Sequence, residues 1–531
     1  LWRGAGSADV GYDLRQEAAA EPDDARAIQL LEAGAAGVVA AYGPRGLDAA
    51  IAFRALGDRQ FAAGRLADAR ATFERTASIF GAAGASFALK RAEMIARIAQ
   101  IDIAEGKPEA ARARLAEAVA AEMPASSVRS ARGLERAGAA YLDLGDAAAA
   151  IAPLERAVRL LEGAFGADHP STVRPRQLLA RALAARGELD RAFALAAGSA
   201  AAERRDLAVA LAGLPERQAL AAAARGWTVQ GDVVAYAARL GSPAAATTAF
   251  DEVVRSRSVV FDETARRRIA ARGEGADAVA AARRLREASG RLAALLAGAG
   301  ADGNPASYRA RIDAARRDVE AADLDLAERS ARHARTLADR RVGLAEVTRA
   351  LGPDDALVGF VRHAAPAAKG GDEARYAAFV LRGGDAAPRI VPLGDAPKLD
   401  RLVGQWRAAV FAAASGGDGA AARRAGAALR AAVWDRPAKE LRGARRVFLV
   451  PDGPLNFVDF AALPTSRGRY LVEDGPLLHL LSTERDLVHR PAAGRGTGLL
   501  AVGGPDYDAA STATPAGGAA PAASAAPEVA A

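Results

Sequence analysis

Four glycines recur at nearly constant spacing, and this recurrence restricts what the chain can fold into. They stand at intervals of 42, 39 and 42 residues, at Gly64, Gly106, Gly145 and Gly187. Five residues after each glycine comes an alanine: Ala69, Ala111, Ala150 and Ala192. A period near 40 residues, with small residues at fixed offsets, indicates stacked helical hairpins in which small residues allow close helix crossing and a glycine forms the turn.

The spacing resembles that of tetratricopeptide repeats, and the match covers roughly residues 49–205, or about four repeats. Phe53 and Gly57 stand eleven and seven residues before the first glycine, as the repeat pattern has them. The run Asp168-His169-Pro170 resembles the turn of the longer repeats of kinesin light chains. The resemblance implies an all-α solenoid whose concave surface, built from the first helix of each hairpin, binds a protein or peptide. Residues 1–48 are expected to form an N-terminal helical segment.

Two further helical regions are predicted after the repeats. Residues 206–262 contain the amphipathic runs Leu214–Leu220 and Phe250–Arg257, which we expect to cap the apolar end of the array. Over 263–340 a seven-residue spacing predicts an antiparallel coiled-coil hairpin. Its seam residues are Leu285, Leu292, Ile312, Val319, Leu326 and His333, with Ala315 and Ala322 between them. The run Gly298–Pro305 supplies the break between the two helices.

The periodicity changes after Leu351, where short apolar runs bounded by Gly, Pro and Asp predict strands. The predicted strands are 356–361, 376–381, 389–393, 446–450 and 499–503. The last two are almost wholly apolar, as in a parallel sheet covered by helices. A helix between the third and fourth predicted strands is expected to place Leu402, Trp406, Val410 and Phe411 on one face. Residues 508–531 are rich in Ala and Pro and are expected to be a disordered tail.

The block from 451 to 500 is poor in alanine, unlike most other stretches of this length in the chain, and a motif block occupies its residues 451–487. Its motif residues are Pro451, Asp452, Gly453, Leu455, Phe460, Leu463, Pro464, Tyr470, Leu471, Ser482, Arg485 and Asp486. In this order they resemble the CHAT domain, a caspase-like domain found joined to tetratricopeptide repeats in bacteria. We assign its N-terminal part to 341–507. The fold class predicted is therefore mixed: an all-α repeat solenoid and helical hairpin, followed by an incomplete α/β caspase-like domain.

The resemblance implies a peptidase in which a Cys thiolate attacks the substrate and a His serves as base and then as acid. No catalytic residue can be placed, because the 531 residues contain no cysteine. Two explanations stay open. Either the family's His and Cys lie beyond Ala531, which the open edge of a sheet ending at 499–503 favours, or the domain is degenerate. The start at Leu1, without Met or an apolar leader, also leads us to expect a piece of a longer, cytoplasmic protein.

Other chemistries are excluded or disfavoured by the sequence. No lysine precedes Ser or Thr, so a P-loop is absent, and we expect no cofactor and no metal. The net charge of +7 is small, and the basic residues alternate with acidic ones, which argues against nucleic-acid binding. No apolar run is long enough for a membrane span. We interpret all five histidines as structural, Asp452 and Gly453 as a turn, and Arg485 and Asp486 as a pair at a helix start.

These observations support two functional hypotheses. In the first, the chain is a partner-sensing protein of the caspase-like cysteine peptidase family, whose repeats bind a protein and regulate the peptidase-like domain. In the second, it is a non-catalytic repeat scaffold with a pseudo-peptidase domain.

Overall fold

A computed structural model describes residues 8–213, 228–257, 259, 275–297, 304–366, 371–465 and 468–488. Ten helices form consecutive antiparallel pairs over the first 213 residues. They are α1 (Ala8–Ala20), α2 (Asp24–Tyr42), α3 (Leu47–Ala62), α4 (Leu66–Ala82), α5 (Ala88–Ala104), α6 (Pro108–Glu122), α7 (Val128–Asp143), α8 (Ala147–Phe165), α9 (Pro170–Ala185) and α10 (Leu189–Gly213). The helical hairpins predicted from the glycine period are confirmed.

The repeat glycines lie at the turns between the paired helices. Gly64, Gly106, Gly145 and Gly187 have φ values of 73°, 71°, 73° and 86°, in the left-handed region that residues with a side chain rarely adopt. A second kind of glycine lies at a helix crossing, where a Cβ on Gly57 would lie 2.6 Å from the ring of Phe73. The period in the sequence thus records both a turn and a close helix contact.

In the part of this region that the structure describes, two helices follow the repeats, α11 (Thr228–Leu240) and α12 (Pro243–Ser256). The second contains most of the predicted run Phe250–Arg257, whereas Leu214–Leu220 lies outside the described residues. Phe250 is fully buried and stacks on Phe379 of the sheet at a centroid distance of 4.7 Å. The apolar end of the helical array is therefore covered by the sheet.

The helical hairpin is formed by α13 (Ala276–Ala297) and α14 (Pro305–Arg329). Leu285, Leu292, Ile312 and Leu326 are buried as the seam predicts. The prediction that His333 continues this seam is wrong, because Ser330 ends α14 and caps a new helix, α15 (Ala331–Arg341). His333 is buried there and its Nε2 lies 2.8 Å from the carboxylate of Asp323. A short helix, α16 (Leu344–Ala350), leads into the sheet.

The hairpin also packs against the third and fourth repeats. Tyr308 of α14 lies edge-on to Phe165 of α8 and within 3.2 Å of His169 Nε2. The other ring nitrogen of His169 accepts a hydrogen bond from the amide of Ser171, which caps α9. Burial is the main cause that lowers the pKa of His169, to about 4. The Asp-His-Pro turn therefore joins the repeats to the hairpin through a neutral imidazole.

The described residues of the C-terminal part form a five-stranded mixed sheet in the order β3-β2-β1-β4-β5. Its strands are β1 (Asp355–Pro366), β2 (Asp372–Arg382), β3 (Arg389–Asp395), β4 (Arg446–Val450) and β5 (Leu477–Leu480). The first four confirm the predicted runs, and β4 is parallel to β1 as its apolar composition suggests. The predicted strand 499–503 lies outside the described residues. β5 was not predicted, since it is short and both Leu477 and Leu480 are exposed.

Helices α17 (Ala396–Ala414) and α18 (Gly419–Val433) cover one face of the sheet. The prediction that Leu402, Trp406, Val410 and Phe411 form one face of α17 is correct only for its first half. Trp406 is buried, but Val410 and Phe411 are 42% and 77% exposed, because the buried contacts of α17 end at Trp406. A one-turn helix, α19 (Leu471–Asp474), precedes β5. The opposite face of the sheet contacts α11 and α12, so alternating strand residues enter two different cores.

Among the described residues, no helix combines the length and the apolar character that crossing a membrane requires.

Alanine at Gly138 is expected to destabilise the array. A Cβ there would collide with the side chain of Leu154, which is fully buried in α8. Overpacking costs about 1–3 kcal/mol, and better helix propensity recovers about 1 kcal/mol. We therefore expect Gly138→Ala to lower the free energy of unfolding by up to about 2 kcal/mol in urea titrations. Gly163→Ala, whose Cβ meets nothing within 4 Å, is the control and is expected to be neutral or stabilising. Equal effects would contradict the crossing argument.

The buried imidazole of His169 predicts a loss of stability in mild acid. Its pKa is lowered from 6.5 to about 4, so the unfolded chain takes up a proton that the folded chain does not between these values. Stability from this residue is complete above pH 6.5 and falls toward pH 4, by at most about 1.4 kcal/mol per pH unit. Thermal unfolding is measured at pH 7.5 and pH 5. The loss of stability between these two pH values is expected to be smaller for His169→Asn than for the wild type, because asparagine caps a helix without titrating. The same loss in both proteins would refute this role.

Candidate functional site

The Pro-Asp-Gly run ties the end of β4 to the neighbouring strand β1. The Asp452 carboxylate accepts hydrogen bonds from the backbone amides of Arg362 and Gly453, both at 2.8 Å. Gly453 has φ 54°, and a Cβ on it would lie 2.8 Å from the Tyr376 hydroxyl. Both the backbone angle and the close contact exclude a side chain here. The run is thus a tight turn at the carboxyl end of a parallel strand, directly after the half-buried Pro451.

A small polar cluster lies beside this turn. The Tyr376 hydroxyl donates to the carboxylate of Asp400 at 3.0 Å and lies 3.4 Å from the Asp452 carbonyl. Burial first, and then the hydrogen bond to Asp400, raise the pKa of Tyr376, so its phenol keeps its proton. Arg362 completes the cluster with an ion pair to Asp400 at 3.4 Å. These groups fix the turn and contain no nucleophile of the kind that the family's chemistry requires.

The middle of the motif block forms core and backbone contacts. Leu455, Phe460 and Leu463 are buried, and Phe460 stacks on Phe360 of β1 at 5.3 Å. The backbone then turns back on itself through a bridge between Pro464 and Tyr470 and a hydrogen bond from the amide of Leu471 to the carbonyl of Leu463. The structure therefore brings these motif residues together as a packed unit under the sheet.

The Ser-x-x-Arg-Asp part of the block differs from the predicted Arg–Asp pair. The Asp486 carboxylate accepts from the backbone amides of Ser482 and Thr483, both at 2.9 Å. Arg485 is buried and donates to the carbonyl of Asp339 at 3.0 Å, in the last turn of α15. Thus Asp486 caps its own turn, whereas Arg485 holds the helix that leads from the hairpin to the sheet.

The structure adds an ion pair that the motif block did not reveal. Arg257, directly after α12, donates to the carbonyls of Val450 at 3.2 Å and Phe360 at 2.5 Å. Its guanidinium also lies 3.4 Å from the carboxylate of Glu484, which is fully buried. Glu484 and Arg257 are more than two hundred residues apart in the chain, so no local spacing could have paired them. In the sequence, the one indication of this pair was the presence of a charged residue, Glu484, in a block that contains few alanines.

A cavity of about 260 Å³ lies between α11, α12 and the sheet. Its wall includes Gln230, Arg257, Arg362, His363 and Asp452. Ligands of α/β sheets commonly bind at the carboxyl ends of parallel strands, and this cavity adjoins those ends of β1 and β4. Burial lowers the pKa of His363, so its imidazole is neutral. Within the described ranges no group of three His, Cys, Asp or Glu side chains is arranged to hold a metal ion.

The remaining histidines that the structure describes have structural contacts. His479 of β5 stacks on Phe448 of β4 at 5.4 Å. His169 and His333 pack as described above. His489 lies outside the described residues.

The first helices of the repeats form a second candidate site, which we call the first-helix face (α3, α5, α7 and α9). Ion pairs join each of these helices to the next across this face. They are Arg54–Glu93 at 3.4 Å, Asp58–Arg97 at 3.1 Å, Glu93–Arg136 at 3.5 Å and Glu135–Arg174 at 2.9 Å. The side chain of Arg174 is 72% exposed. The face is thus polar, charged and accessible at its C-terminal end.

Comparisons with known proteins find matches to two parts of the chain. The family model described as "CHAT domain" matches residues 423–531, and that described as "Tetratricopeptide repeat" matches 129–197. The CHAT match thus includes residues 508–531, whose composition predicted a disordered tail. No curated protein matches the chain.

Solved structures are also similar to parts of this chain. Repeats of a putative kinesin light chain from Podospora anserina are 19% identical, with 39% of this chain and 98% of that one covered and a TM-score of 0.33. BtubC from P. vanneervenii is 18% identical, with 37% and 87% covered and a TM-score of 0.27. The apo form of RapI is 13% identical, with 58% and 75% covered and a TM-score of 0.31. The two family matches therefore show that residues 129–197 are similar to tetratricopeptide repeats and that residues 423–531 are similar to the CHAT domain.

Proposed function

We propose that the repeats bind a protein partner on the first-helix face and that this binding regulates the caspase-like CHAT domain. The observation that carries the proposal is a continuous apolar core between the two parts. One cluster of buried residues extends from Leu183 of α9 through Val233 and Phe250 to Phe379 and Phe448 of the sheet. Because close-packed cores transmit displacements instead of absorbing them, a partner that shifts the repeats also acts on the sheet.

The polar contacts at this junction reach the motif block. Arg257 follows α12 and donates to the carbonyl of Phe360 in the middle of β1 and to that of Val450 at the end of β4, directly before the Asp452 turn. Its partner Glu484 belongs to the block that contains Ser482, Arg485 and Asp486. A movement of α12 is therefore expected to change the position of both halves of the CHAT motif.

The residues of the first-helix face favour a partner with charged side chains. Each repeat places at least one Arg, Asp or Glu on this face. Burial raises the pKa of Glu135, and the nearby charge of Arg174 acts in the opposite direction. A partner carrying alternating charges replaces ion pairs that the face now makes with itself. Such a partner is bound specifically, because like charges placed opposite each other cost several kcal/mol.

A non-catalytic scaffold is the second candidate, and the absence of cysteine from all 531 residues favours it. The two candidates differ in whether the protein made from its native gene carries a reactive catalytic cysteine. A thiol-directed covalent peptidase inhibitor labels a cysteine peptidase at a single site. Specific labelling supports the peptidase, and no labelling in the presence of the partner supports the scaffold.

Partner binding can be tested by photo-crosslinking in cells. A photoreactive amino acid at Arg132, which is exposed on α7, is expected to cross-link one protein reproducibly. The same residue at Arg159, which is exposed on the second helix of that repeat, is the matched control and is expected to give no such product. When the partner identified in this way is purified and added to this chain, it is expected to slow amide hydrogen exchange in α5 and α7. Identical products from both positions would refute a specific face.

A double-mutant cycle on Arg257 and Glu484 tests the junction. Arg257→Met leaves a fully buried carboxylate without its cation, which is expected to cost about 3–5 kcal/mol in urea unfolding. In the double variant Arg257→Met/Glu484→Gln the charge is gone, so the part of the stability loss that comes from the unpaired carboxylate is expected to be recovered, whereas the carbonyls of Val450 and Phe360 still lack their donor. Additive effects of the two substitutions would show that the pair does not join the repeats to the CHAT motif.

A further inference from the structure

One arginine at the end of the first-helix face is shared between the repeats and the sheet. Arg181 of α9 contacts the carboxylate of Asp232 in α11 at 3.2 Å and that of Asp372, the first residue of β2, at 3.0 Å. Asp232 is fully buried, whereas one third of the Asp372 side chain is exposed. The two carboxylates therefore differ: one belongs to the interior of the junction and the other reaches the arginine from the surface.

The contact with Asp372 continues the pattern of the first-helix face. Along that face the partner of each charged residue comes from the next repeat, as in Glu135–Arg174. After α9 the sheet supplies a carboxylate from β2 instead. Asp372 thus occupies a position at which a ligand lying along the first-helix face would place an acidic side chain.

A cavity of about 670 Å³ beside Arg181 gives such a side chain room to approach. Leu142 and Leu178 provide apolar wall, and Tyr236 of α11 also lines the cavity. The Tyr236 hydroxyl is buried and has no hydrogen-bond partner among the described residues. Burial raises the pKa of Tyr236, so the hydroxyl remains a donor. The cavity therefore offers an unused donor next to the shared arginine.

The charges around the cavity permit an exchange of one carboxylate for another. Arg239, in the cavity wall, donates to the carbonyl of Ala184 at 3.3 Å and pairs with no carboxylate in the described part of the chain. Asp143, also in the wall, faces Arg174 and opposes a second bound anion there. Arg181 already contacts the carboxylates of Asp232 and Asp372, so a third carboxylate on this guanidinium is disfavoured, whereas replacement of Asp372 leaves its charge balance unchanged.

We propose that Asp372 is an internal ligand of Arg181, and that an acidic side chain of a protein partner displaces it. This inference rests on the proposed function, since it specifies the chemistry of the partner that binds the first-helix face. In the free protein Asp372 competes with that partner, and the competition lowers the apparent affinity. In the complex, the end of the β1–β2 pair loses its contact with the fourth repeat. The displaced contact is the first step by which partner binding reaches the sheet.

Binding of a labelled glutamate-rich peptide, measured by fluorescence anisotropy on the full chain, tests the competition. The matched glutamine-rich peptide and a C-terminally amidated glutamate peptide distinguish side-chain carboxylates from a terminal one. Asp372→Asn is expected to bind the glutamate peptide about two- to fivefold more tightly than the wild type, as expected for loss of a partly exposed ion pair. Glu373→Gln, which removes the adjacent carboxylate paired with Arg375, is the control and is expected to leave the affinity unchanged.

Removal of the arginine alone would leave Asp232 buried without its cation, so the double variant Arg181→Gln/Asp232→Asn is used instead. It is expected to lose the preference for glutamate over glutamine. Saturating glutamate peptide is expected to speed hydrogen exchange at the β1–β2 end of the wild type, around Pro366 and Asp372.

Three results would overturn the inference: equal affinity of Asp372→Asn and wild type, equal binding of the two peptides, or unchanged exchange at saturation. Loss of the amidated peptide's binding would assign the site to a terminal carboxylate and would also overturn it. A specific cross-link from Arg132 together with any of these results would leave the proposed function standing and refute only the displacement of Asp372.

Discussion

The stacking of Phe250 on Phe379 represents the contact on which the arrangement of this chain depends. A repeat array ends in an exposed apolar face, and an α/β sheet has two such faces to cover. In this chain the end of the repeat array and one face of the sheet cover each other, because α11 and α12 pack on that face. Helices α17 and α18 cover the other face of the sheet. The repeats and the sheet therefore share a core, in contrast to two modules joined by a linker.

Sharing a core imposes a cost on the polar groups around it. Glu484 is fully buried and pairs with Arg257, and Asp232 is fully buried beside Arg181. Buried charges of this kind add little to stability by comparison with apolar residues, but losing one partner is costly. Their main effect is on the relative position of the repeats and the sheet. Both ion pairs lie at the junction, and each is broken if the two parts separate. The junction is thus held in one arrangement by few, strongly position-dependent contacts.

The sequence predicted what depends on local spacing and missed what depends on distant pairs. The repeats followed from a turn glycine and an alanine at fixed offsets, and β1 to β4 followed from apolar runs bounded by turn residues. The strand β5 was missed because it has four residues and exposes Leu477 and Leu480. The helix break at Ser330 was missed because a heptad register continues across it. Of the candidate site, the motif residues were identified, but the contacts of Arg257 and Arg181 join segments far apart in the chain.

The position of Phe250 also has a consequence for synthesis of the chain. Its partner Phe379 is translated about 130 residues later. At about 5–20 residues per second this interval lasts on the order of ten seconds. During that time the helical array is complete enough to fold, because its contacts are local, but its apolar end has no cover. The nascent protein therefore passes through a stage in which a folded solenoid presents a hydrophobic face, and this stage is where a chaperone or a second nascent chain has access to it.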